Sequence, residues 1–205
     1  INVNKPRTTD QVTPLYTACE QGFTSVVHHL LQHHDINVNQ PKATSETPLY
    51  VACYGDHTSV VDLLLKHHSI QVNQTITDDG STPLFIACHK GYIAVVNLLL
   101  QKNDINVNQH NYDPSKTPLF IASACGHVEI VRLLLQMPNI NLKKQTGAMF
   151  SPLDAATARG FDEIVELLKT AESAHSKILR EEKEEEDDDE MQLALALSLS
   201  MSRKK

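Results

Sequence analysis

The chain has no apolar run near the roughly 20 residues that a membrane-spanning helix needs, so a soluble chain is expected. No basic-then-apolar leader follows Ile1, so no signal peptide is expected, and the missing initiator Met suggests a start inside a longer protein. There is no Cys-x-x-Cys pair, no glycine-rich phosphate loop, no nucleophile elbow and no zinc-protease motif. Cys88 and His89 are adjacent, which on a helix separates their side chains by about 100° and is no nucleophile–base geometry. A non-enzyme without a cofactor is therefore expected. Nor is there an excess of base. Residues 181–190 hold nine of the 25 acids, and residues 1–180 hold 16 acids against 14 bases, so the formal −7 comes from one acidic block. A nearly neutral body offers nothing to a phosphate backbone, and nucleic-acid binding is disfavoured.

What is present is a repeat. Thr13-Pro14-Leu15, Thr47-Pro48-Leu49, Thr82-Pro83-Leu84, Thr117-Pro118-Leu119 and Ser151-Pro152-Leu153 recur at steps of 34 or 35 residues. Each is followed by an alanine (Ala18, Ala52, Ala87, Ala122, Ala156) and then by Gly22, Gly91, Gly126 or Gly160, with Asp56 at that place in the second repeat after an early Gly55. A β-branched pair and a leucine run come next, as in Val60-Val61 and Leu63–Leu65. Proline at the first helical position loses no hydrogen bond, and the preceding Thr or Ser can cap the free N–H groups. Glycine ends that helix in a left-handed turn. A second helix follows with apolar residues three and four apart. Segments 35–40, 69–74 and 104–109 alternate apolar and polar residues, the pattern of an extended hairpin arm. Neither helix can bury its apolar face alone, so the units must stack.

These residues resemble the ankyrin repeat family, whose core reads T-P-L-H-x-A with a G-H turn and an L-L-L helix end. The resemblance implies an all-α solenoid of helix pairs with hairpin fingers over residues 1–170: a partial arm at 1–12, then five repeats starting near Thr13, Thr47, Thr82, Thr117 and Ser151. An acidic linker (171–190) and a C-terminal helix (187–201) are expected to follow. Ile1–Lys5 matches the arm closing each later repeat, which predicts at least one earlier repeat. Tyr16, Tyr50, Phe85, Phe120 and Asp154 replace the family histidine that ties neighbours together, so stacking is expected to rely on aromatic packing. Asp35, Ser69, Asp104 and Asn139 take over near the place of the family glycine after the second helix. The fifth repeat is weaker, with Asn141-Leu142-Lys143-Lys144 breaking the arm, as a terminal cap would.

Cys19, Cys53 and Cys88 share one repeat position. Repeats a helix diameter apart, roughly 10 Å, hold Cα atoms beyond the ~7 Å limit of a disulfide, so buried free thiols are expected. His29 and His33, four apart on a predicted helix, could share a metal. No Cys-x-x-Cys or nearby carboxylate cluster supplies further ligands, so no metal is assigned, and the histidine pairs are read as polar ends of second helices.

Residues 181–205 join an acidic run to Φ-x-x-Ala-x-x-x-Ser, which resembles the ubiquitin-interacting motif. One register comprises Asp187, Asp188, Asp189, Glu190, Met191, Ala194 and Ser198; the other, Leu193, Ala196 and Ser200, faces the opposite side of one helix, about 200° away. Leu195 and Leu197 complete the segment, which is similar to the double-sided motifs of endosomal sorting adaptors. The resemblance implies ubiquitin or ubiquitinated proteins as partners. The plainer alternatives are a solubilising acidic tail on a regulatory scaffold, or the targeting piece of a larger ubiquitin-pathway enzyme. A second protein partner is expected on the repeats, whose tips (7–11, 42–46, 76–81, 110–116, 145–150) all differ, with Tyr54, His89, Lys90 and Tyr112 as candidate contacts. The resulting expectation is a monomeric cytoplasmic adaptor, with endosomal or nuclear association as variants and no membrane insertion.

Overall fold

The computed structural model describes residues 2–7, 9–113, 116–143 and 150–177. Among them there is no strand, and the helices come in pairs: α1 (Pro14–Glu20) with α2 (Thr24–Leu31), α3 (Pro48–Tyr54) with α4 (Thr58–Leu65), α5 (Pro83–Lys90) with α6 (Ile93–Leu100), and α7 (Pro118–Cys125) with α8 (Val128–Leu135). Next comes α9 (Pro152–Arg159), and residues 162–177 are helical, which we label α10. α10 runs into the segment read from the sequence as an acidic linker.

Each first helix starts for the reason its sequence implies. The hydroxyls of Thr13, Thr47, Thr82, Thr117 and Ser151 accept the N–H three residues on, at 3.1–3.2 Å, and proline follows at once. Ser151 and Asp154 form a full capping box. Helices α5, α7 and α9 end on left-handed Gly91, Gly126 and Gly160. In the second repeat Gly55 has an ordinary φ of −89°, and Asp56 takes the left-handed conformation instead.

Stacking follows from these starts. First helices pack in the series α1–α3–α5–α7–α9 and second helices in α2–α4–α6–α8. Between the layers lie Leu15, Leu49, Leu84 and Leu119 and the alanines Ala52, Ala87, Ala122 and Ala156, all nearly inaccessible. Cys19, Cys53 and Cys88 are buried and Cys125 is half-buried; all four are free thiols. Burial pushes the first three thiols far above their usual range.

The arms differ from the alternating strands expected. In four of the five, the side chain of a first asparagine accepts the N–H two residues on: Asn2 from Asn4, Asn37 from Asn39, Asn106 from Asn108, Asn141 from Lys143; the second repeat has Gln71 at that place. That local bond bends the backbone and leaves no extended ladder to pair. The residue between them, Val38, Val107 or Leu142 (Val72 in the second repeat), plugs into the core.

By internal contacts the chain divides into two units, residues 1–165 and 166–205. In the described part of the second, the hydroxyls of Thr170 and Ser173 donate to the carbonyls of Glu166 and Lys169, both at 2.8 Å.

Candidate protein-binding surface

Each of the first four fingers is a reverse turn closed by a backbone bond. Arg7 N donates to Val12 O at 3.0 Å, Lys42 N to Glu46 O at 3.1 Å, Ile76 N to Ser81 O at 3.1 Å and Asn111 N to Lys116 O at 3.2 Å. Gln11, Ser45 and Gly80 take positive φ at equivalent places, and only the third is glycine. Neighbouring fingers are tied tip to tip. Ala43 N donates to Asp10 O at 3.0 Å, Tyr112 N to Asp79 O at 2.8 Å, and the Tyr112 hydroxyl to Thr77 O at 3.1 Å. These bonds hold the described tips in a row.

Deeper in the arms lies a second set of cross-links. Asn4, Asn39, Asn73 and Asn108 each donate a side-chain N–H to a carbonyl of the next repeat, at Asp35, Ser69, Asp104 and Asn139, over 2.6–2.7 Å. Each also accepts the backbone N–H two residues beyond that carbonyl, at Asn37, Gln71, Asn106 and Asn141, over 2.8–2.9 Å. Lys143 stands where the next such asparagine would be, and the ladder stops there among the described residues. The carbonyls used belong to the four residues that replace the family glycine. His57 and His127 add ties of the same kind, donating Nε2–H to Glu20 O and His89 O at 3.0 Å each. Inter-repeat bonding therefore includes the finger tips, the arms and the second-helix starts; the buried aromatics Tyr16, Tyr50 and Phe85 supply packing beside it.

Of the candidate contacts, Tyr54 and Lys90 are brought together across two repeats. Lys90 Nζ lies 4.5 Å from the centroid of the Tyr54 ring, itself 49% exposed, a cation–π pair at the surface. His89 is next to them, its ring 6.4 Å from Phe85. Burial, Lys90 and His127 hold the His89 pKa below the usual histidine range, against the pull of Asp79. Tyr112 is 66% exposed, on the row of fingers, its ring against Gly80.

The sequence reading named the first two finger tips, 7–11 and 42–46, without singling out their charged residues. Arg7 pairs with Asp10, and Lys42 Nζ lies 2.9 Å from Glu46 and 5.5 Å from the Tyr16 ring centroid. Burial alone would lower the Lys42 pKa, but the Glu46 carboxylate and the neighbouring Tyr16 hold it above the usual value. Arg7, Asp10, Tyr16, Glu20, Lys42 and Thr44 line a cleft of about 240 Å³ between fingers and first helices. Their spacing on two tips of one row was the available signal. The tip at 145–149 and the tail at 187–201, with every candidate ubiquitin contact, lie outside the described residues.

A family model described as ankyrin repeats (3 copies) matches residues 15–111 and again 107–178. No curated protein matches the chain. No helix among the described residues is long and apolar enough to cross a membrane.

Proposed function

Since the chain belongs to the ankyrin repeat family, whose arrays are protein–protein interaction domains, we propose that it is a non-enzymatic adaptor with two binding ends. The repeats hold one protein partner along the finger row and first-helix ends. The tail helix at 187–201 binds ubiquitin or ubiquitinated cargo.

For the repeats, the supporting observation is that chemically different side chains sit on tips fixed by backbone bonds. Arg7/Asp10, Lys42/Glu46, Tyr54/Lys90, His89 and Tyr112 all lie on this row or its floor. A scaffold ordered before binding pays little conformational entropy on association, so its variable contacts can set specificity.

For the tail, the support is the sequence: the acidic run to Glu190, then Met191/Ala194/Ser198 and Leu193/Ala196/Ser200 in two registers. A small side chain at Ala194 or Ala196 lets ubiquitin's apolar patch approach closely, and the acids meet its basic rim. A helix of about 15 residues is marginal alone in water, so ordering it weakens binding. The interface should stay below about 1,200 Å², with a dissociation constant on the order of 10⁻⁴ M.

Titrating labelled ubiquitin against the full chain tests this. Ala194→Gln and Ala196→Gln should each leave one ubiquitin bound, and the double variant none. Full binding by the double variant refutes the motif. Total loss from Ala194→Gln alone restricts the site to one face.

A further inference from the structure

The histidines of the first repeat take no part in the surfaces above. From the sequence, His29 and His33 were the pair expected on one helix face; instead α2 ends at Leu31, and His29 Nδ1 is occupied by Ser25 O at 2.6 Å. Beyond Leu31 the chain turns, closed by Ile36 N donating to His33 O at 3.1 Å. This turn gathers His33, His34 and Asp35. One ligand atom from each lies within 4.8 Å of the other two, the only such group of three among the described residues. His34 Nε2 is 3.0 Å from Asp35 Oδ2. The His33 and His34 rings stack with centroids 4.9 Å apart, and Asp35 N donates to His33 Nδ1 at 3.3 Å.

Two imidazole nitrogens and a carboxylate oxygen are the donor set of borderline divalent ions such as Zn²⁺, Ni²⁺ and Co²⁺, not of Ca²⁺ or Mg²⁺. Two ligands each about 2.1 Å from one such ion stand roughly 3.0–3.4 Å apart, which the His34–Asp35 separation already meets. The carbonyl end of α2 adds negative potential beside the turn.

The second repeat supplies an internal control. His67 and His68 stack in the same way, with centroids 4.6 Å apart, but Ser69 replaces the carboxylate and its hydroxyl lies 3.0 Å from His67 Nδ1. The same turn thus occurs with and without a third ligand.

We propose that His33, His34 and Asp35 form a surface site for a divalent cation of the zinc class. Three protein ligands leave at least one coordination position for water or for a donor atom on a bound protein. The carboxylate missing from the sequence argument is the one that the turn supplies.

The test is titration of the full chain with Zn²⁺ alone, in a non-coordinating buffer, against a chromophoric indicator. One Zn²⁺ should bind with a dissociation constant on the order of 10⁻⁵ M. Asp35→Ser, which copies the second repeat onto an exposed turn, should weaken binding about tenfold or more, comparable to loss of a metal-orienting group. The double variant His67→Gln/His68→Gln should bind as the parent does. Amide shifts on adding Zn²⁺ should centre on residues 32–36. Equal affinity in Asp35→Ser, a matching loss in the His67/His68 variant, or no saturable binding below about 1 mM overturns the assignment.

Discussion

Asn73 joins the second repeat to the third by two bonds, and removing its side chain measures what the asparagine ladder contributes. Its Nδ2 donates to Asp104 O at 2.7 Å and its Oδ1 accepts Asn106 N–H at 2.9 Å. A neutral hydrogen bond is worth about 0.5–1.5 kcal/mol net. The site is half-buried and water can replace part of each bond, so Asn73→Ala should cost about 1–2 kcal/mol. For a unit of this size that lowers Tm by about 2–8 °C. Asn73→Asp separates the two bonds. The carboxylate keeps an acceptor for Asn106 N–H but sets an anionic oxygen against the Asp104 carbonyl, so at pH 7 it should be less stable than Asn73→Ala. Urea unfolding gives the order of stabilities, and amide exchange reports the bonds singly. The Asn106 amide should lose protection in the alanine variant and keep it in the aspartate variant. A loss under about 0.3 kcal/mol for Asn73→Ala, or an aspartate variant more stable than the alanine one, would refute the ladder's role.

Gly91 and Gly160 are both left-handed, at φ +82° and +70°, but a Cβ at Gly91 would meet the His127 ring at 2.7 Å while one at Gly160 meets nothing within 4 Å. Gly160→Ala should cost only the backbone strain, about 1–2 kcal/mol, and Gly91→Ala more; denaturant midpoints in the reverse order would sink this account. Thiol titration should find four free thiols after denaturation, and in the native protein Cys125 should react well before Cys19, Cys53 and Cys88; fewer than four thiols would contradict the buried, unpaired cysteines. Burial and His68 lower the His67 pKa, as burial, Lys90 and His127 lower that of His89. A histidine that protonates less readily when folded leaves the unfolded chain binding more protons, so stability should fall as pH drops from about 6.5 towards the lowered folded values. Tm measured against pH should show that fall, with a shallower slope in His89→Gln; an unchanged slope would remove His89 from the explanation.

Helix starts and burial were legible in the sequence because their causes are local. Thr82 caps Phe85 three residues away, Pro83 fixes a first turn, and Cys88 occupies a core position whatever its neighbours do. Five copies of such a unit imply stacking, since one copy cannot bury its own apolar face. The register of that stacking is a different matter. Asn4, Asn39, Asn73 and Asn108 find partners 30–33 residues away, and nothing in a window of a few residues distinguishes a carbonyl within reach from one beyond it. Their recurrence as Asn-Val-Asn or Gln-Val-Asn was visible, but alternation alone made them look like strands. The surface divides in the same way. Tyr54, His89, Lys90 and Tyr112 could be picked out as exposed ends and tips, whereas the stack alone set Lys90 over Tyr54 and tied Tyr112 to Thr77 and Asp79. His33, His34 and Asp35 are adjacent in sequence, yet only the end of α2 at Leu31, which sends the chain into a turn, brings their ligand atoms together. Local propensity and capping act over one helical turn; the distances that make a binding surface are set by backbone geometry and by packing between repeats.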